Sequence, residues 1–112
     1  MELVLKAIVE KVEPGKLRGQ RIARARAGDR TITFDVIENL FSVEEGDTLE
    51  ILVSDSRPEN LDPYDFCAHG YLAASRDNAE LLSLWGILFL FEPPIGLQDN
   101  VKYYLCIKRS QG

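Results

Sequence analysis

The sequence predicts an all-β domain, an antiparallel barrel in preference to a sandwich. Apolar and polar residues alternate with period two through most of the 112 residues, helical periodicity is nearly absent, and Gly, Pro, Asn or Asp punctuates the chain at short intervals. At least seven strands and little helix follow from this pattern. A length of 112 residues is that of one domain, expected to span 1–112. Folding such a chain buries roughly two-thirds of its surface, enough for a core without staples.

Leu3, Leu5, Ala7 and Val9 alternate with Val4, Lys6, Ile8, Glu10 and Val12, a strand with one apolar and one mixed face that ends at Pro14-Gly15. Arg21 to Ala27 sets Ala23, Ala25 and Ala27 inward and Ile22, Arg24 and Arg26 outward. After the turn at Gly28-Asp29, Ile32, Phe34 and Val36 form the inner face of a partner strand, so the two read as a hairpin. Glu38 to Phe41 suits one short helical turn, and Thr48 to Ser54 resumes strand with Leu49, Ile51 and Val53 on one face. Asp55 to Pro63 is polar, contains Pro58 and Pro63, and reads as a surface loop.

Two long apolar strands come next, Tyr64 to Ala74 and Glu80 to Phe91, expected to fold about Asn78 and so to set Gly70 opposite Gly86. Paired glycines inside strands suggest a bend, a bulge or a close backbone approach. Read as one strand, 80–91 is apolar on both faces, with Leu82, Leu84, Leu88 and Leu90 on one and Leu81, Trp85, Ile87, Phe89 and Phe91 on the other. One face fills the barrel; the other needs a cover from elsewhere in the chain or from a partner. Pro93-Pro94 and Gly96 make the next turn, and Val101 to Arg109 is the last strand.

Composition narrows the function. The opening residues lack the basic start and apolar run of a secretory signal, and two cysteines are too few for a disulfide scaffold, so an intracellular, cytoplasmic protein is expected. The longest stretch without charge or proline, Leu81 to Phe91, is eleven residues, short of the ~20 a spanning helix requires. The chain carries net −5, yet Lys16, Arg18, Arg21, Arg24, Arg26 and Arg30 face only Asp29 within residues 16–30, a local +5. Such a segment on an acidic body points to one localised acidic partner, protein or phosphate, or to a solvated strand face.

Catalytic signatures are scarce. There is no Gly-rich phosphate loop, nucleophile elbow, H-x-x-x-H or C-x-x-C. Cys67 and His69 share a strand face, and Cys106 or Asp65 would have to join them to hold a metal; small buried thiols and a hydrogen-bonded histidine are the simpler reading. A Cys67–Cys106 disulfide needs the last strand beside the first strand of the hairpin, and in a reducing cytosol it is not expected unless the source is a hyperthermophile. Cys67 and His69 are poorly placed as nucleophile and base on a flat strand. Glu44-Glu45 and Asp62 with Asp65 sit in polar loops that do not raise a carboxyl pKa. No catalytic residue, cofactor or metal ligand is assigned. Single-stranded nucleic acid is a secondary reading, because the arginines of the basic segment lack interleaved aromatics.

The stretches Asp65-Phe66-Cys67-Ala68-His69-Gly70-Tyr71, Ser83-Leu84-Trp85-Gly86-Ile87-Leu88 and Tyr103-Tyr104-Leu105-Cys106-Ile107-Lys108 belong together with Phe34-Asp35-Val36-Ile37 and Arg57-Pro58. As a set they resemble the archaeal DNA-directed RNA polymerase subunit 8 family, the counterpart of the eighth subunit shared by eukaryotic polymerases. The likeness spans nearly the whole chain. Eukaryotic members carry tyrosine where this chain has His69 and lack a match to Cys67, which argues against essential metal or thiol chemistry. The resemblance implies an oligonucleotide/oligosaccharide-binding (OB) type barrel and a non-catalytic, peripheral polymerase subunit. It further implies docking on the largest subunit, in a nucleotidyltransferase complex whose chemistry belongs to the two largest chains. His69, Gly70, Tyr71, Trp85 and Gly86 are the residues expected at the partner interface.

Overall fold

The computed structural model of the chain describes residues 1–110, so the last two residues of the expected 1–112 unit lie outside the described residues. The strands are β1 (Glu2–Pro14), β2 (Gln20–Ala27), β3 (Arg30–Ile37), β4 (Thr48–Ser54), β5 (Phe66–Arg76), β6 (Ala79–Leu84), β7 (Ile87–Glu92) and β8 (Tyr103–Ser110). Ordered β1-β2-β3-β7-β6-β5-β8-β4, they close into an eight-stranded barrel with every neighbouring pair antiparallel. The barrel is all-β and consistent with an OB-like architecture, and no helix occurs among the described residues. At 38–41 there is one hydrogen-bonded turn, in which the Phe41 N–H donates to the Ile37 carbonyl over 3.1 Å.

β1 is long because it serves two partners. Glu2 to Ile8 pairs with β4, Ile8 to Pro14 pairs with β2, and the register shifts between Val9 and Lys11. A bulge at that point bends one strand from one neighbour to the other. Residue size is matched across the seams: Ala23 and Ala25 lie opposite Phe34 and Ile32, which in turn lie opposite Phe89 and Phe91. Small inward residues on β2 leave room for the phenyl rings of β3 and β7, and Phe34 stacks on Phe89 with centroids 4.9 Å apart. Both ends are closed by buried carboxylates. Glu80 accepts the N–H groups of Ile95, Gly96 and Leu97 at 2.6–3.0 Å, and Asp47 accepts Arg109 Nε at 2.6 Å and the Glu44 N–H at 2.7 Å.

Three expectations are corrected. The run 80–91 is not one strand, because Trp85-Gly86 is a two-residue turn between β6 and β7, and Leu84 pairs with Ile87. That turn resets the alternation, so Leu82, Leu84, Ile87, Phe89 and Phe91 all face inward, leaving Leu81, Leu88 and Leu90 outside. The fold about Asn78 does not set Gly70 opposite Gly86. β5 turns into β6 through Asp77-Asn78, the register shifts between Leu72 and Ala74, and Gly70 pairs with Tyr103 of β8. The last correction is the disulfide: β8 lies beside β5, Cys67 stands opposite Cys106 with Cα atoms 4.1 Å apart, and the two are bonded.

Gly70 does mark a close backbone approach, but within the chain. A Cβ there would press on the Ser83 carbonyl oxygen and lie 2.9 Å from Leu84 Cα, so glycine alone lets β5 run this near β6.

Candidate protein-docking site

The site grows from the β6–β7 turn. Trp85 has φ 55° and Gly86 φ 91°, the two left-handed residues that a type I′ hairpin requires. Gly86 adopts this conformation without cost; a bulky L-residue such as Trp85 does not. Nor is the indole repaid by burial, since Trp85 is 85% exposed. A large apolar ring held at a strained hairpin tip in water is a feature that folding alone does not account for.

β5 supplies the rest. Outward alternation brings His69 and Tyr71 beside the turn, because Tyr71 pairs with Ser83 and His69 pairs with Tyr104. The Trp85 Nε1–H donates to His69 Nδ1 over 3.4 Å, which fixes that ring nitrogen as an acceptor. His69 meets both Trp85 and Tyr104 edge-on, at 6.1 and 5.7 Å between centroids. Lys102 Nζ sits 5.7 Å from the Tyr104 ring centre, a cation–π contact. A groove of about 440 Å³ runs along β5 from His69 to Ala73, with Ser83 and Trp85 on one side and Lys102 on the other. Tyr71 and Leu88 stay half in water beside it, with exposures of 50% and 37%.

All five expected interface residues, His69, Gly70, Tyr71, Trp85 and Gly86, therefore lie together in or beside one groove, with Gly70 buried beneath it. Lys102 and Leu88 are additional members. Lys102 falls within the last strand expected from Val101, whereas β8 begins at Tyr103 and leaves Lys102 just before it, and the face of Leu88 is legible only once the turn at Trp85 is known.

The basic segment is dispersed by the register. Arg26 Nε binds Glu10 at 3.1 Å, Arg21 approaches Glu38 at 4.0 Å, and Arg30 donates to the carbonyls of Pro93 and Pro94 at 3.0 and 3.1 Å. Arg24 lines a small cleft with Lys11 and Glu13, where a hydrogen bond from Lys11 and its charge hold the Glu13 carboxyl below the usual range. Lys16 and Arg18 lie in the exposed β1–β2 connection.

Cys67 and Cys106 are consumed by their disulfide, and Asp65 accepts the Arg109 N–H at 2.7 Å. Among the described residues no three His, Cys, Asp or Glu side chains are grouped closely enough to hold a metal ion. No helix among them is long and apolar enough to cross a membrane.

Known proteins bear on this barrel directly. The family model RpbG, which describes the G subunit of DNA-directed RNA polymerase, matches residues 2–110. The chain is similar to DNA-directed RNA polymerase subunit Rpo8 of Saccharolobus shibatae, 24% identical over 127 residues that cover 97% of this chain and 95% of that one. It is also similar to DNA-directed RNA polymerase subunit Rpo8 of Sulfolobus acidocaldarius, 25% identical over 114 residues, covering 91% and 93% of the two chains. With a match that runs from β1 through β8, the chain belongs to the RpbG family of DNA-directed RNA polymerase subunits.

Proposed function

We propose that this chain is a non-catalytic peripheral subunit of an archaeal-type, cytoplasmic RNA polymerase, docked on the largest subunit through the face around Trp85 and supporting assembly. Family membership supplies the assembly. The observation that carries the docking face is the exposed indole held at positive φ beside an apolar groove. Exposed aromatic anchors flanked by half-buried apolar residues are what partner surfaces cover most profitably.

Nucleic-acid contact through residues 16–30 is the weaker alternative. Arg21, Arg26 and Arg30 already have acidic or carbonyl partners, which leaves Lys16, Arg18 and Arg24 for a limited contact with an acidic group.

The test is native mass spectrometry of the tagged chain recovered from its source cells. The large polymerase subunits are expected in a one-to-one complex that persists at high salt, because burial of apolar surface is not screened. Trp85→Asn, which suits a type I′ turn, is expected to stay folded and lose the complex. Recovery of nucleic acid in place of polymerase subunits, or an undiminished complex with Trp85→Asn, would overturn the docking face.

A further inference from the structure

We infer that the partner reaches this groove as an extended segment that adds a strand to the open edge of β5; the inference rests on the docking reading above and names the shape of what docks. β8 pairs with β5 only over Phe66 to Gly70, ending at Gly70 opposite Tyr103. β5 continues to Arg76, and from Tyr71 onward only β6 pairs with it among the described residues. The side of 71–76 that faces away from β6 therefore presents backbone N–H and C=O groups with no strand partner among the described residues. Unpaired edge groups select one kind of ligand, another extended backbone.

Two further observations fit such a guest. The groove lies where β8 would have continued, between β5 and Lys102. Its volume, about 440 Å³, is within the ~300–1,000 Å³ range of occupied clefts. The occupant has alternating side chains: an apolar one against Tyr71 and Trp85, and a carboxylate facing Lys102, which has no acidic partner within 4.0 Å among the described residues. The bulge between Leu72 and Ala74 limits the added strand to a short one and keeps the edge from pairing with copies of itself.

Amide hydrogen exchange decides the matter, measured on the chain alone and on the chain reconstituted with the other polymerase subunits. Incorporation with about tenfold or greater slowing at 71–76 is the expected result, since new backbone hydrogen bonds close those amides to solvent. Incorporation with exchange at 71–76 unchanged would leave the docking reading standing and sink strand addition. Failure to incorporate at all would remove both.

Discussion

Two outer faces of the barrel solve the same problem in opposite ways. Around β4, β8 and β5, Leu52 and Cys106 point outward by alternation yet are only 8% and 1% exposed. Arg57 and Leu61, from the loop between β4 and β5, line a cavity with Cys67 and Cys106 and roof this face from within the chain. Around β6, β7 and the far half of β5, Tyr71, Trp85 and Leu88 have no such roof. The first face is finished by folding; on the docking reading, the second is finished only by a partner. Substitutions should therefore register as lost stability on one side and as lost assembly on the other.

The largest effect is expected on the roofed face. Cys67→Ser with Cys106→Ser releases a cross-link that spans 39 residues, and the unfolded chain should gain entropy worth about 4 kcal/mol. Thermal melts of the wild type with and without reductant, beside the double variant, read this out; coincident melts would show that the bond contributes nothing. Gly70→Ala comes next. It forces β5 off β6 at the border between the two faces, at a cost of about 3 kcal/mol, visible in a denaturant midpoint.

Trp85→Asn should move stability the other way, by about 0.5–1 kcal/mol, because asparagine adopts the left-handed conformation more readily than tryptophan. A variant that melts higher yet fails to assemble would define the open face by function alone, and one that melts lower would mean that the indole supports the barrel after all. The smallest effect belongs to the Met1–Asp55 pair. The N-terminal amine, 2.8 Å away, holds the Asp55 carboxyl below its ordinary range. A lowered folded pKa gives stability that is complete above about pH 4 and fades as pH falls through the folded value. Asp55→Asn should flatten the acid limb of a melting-temperature profile slightly and leave neutral pH almost untouched.

Much of the barrel was legible because alternation reports faces. β1 through β4 follow the inward sets Leu5-Ala7-Val9, Ala23-Ala25, Ile32-Phe34-Val36 and Leu49-Ile51-Val53. Alternation does not report which distant strands become neighbours. The Cys67–Cys106 bond depends on β8 entering between β4 and β5, and the ion pairs of Arg21 and Arg26 depend on which carboxylates the register sets nearby. The division at Trp85 was hidden for a different reason. Tryptophan is a strand former placed where a turn former belongs, so local preference and tertiary structure disagree at the residue on which the proposed docking face is centred.

The position of β8 also sets a timetable. It is the last strand in chain order, yet it lies between β4 and β5 and completes the circuit. During synthesis, seven strands emerge before the piece that closes them, and until Tyr103 to Ser110 arrives both flanking edges stand exposed to other chains.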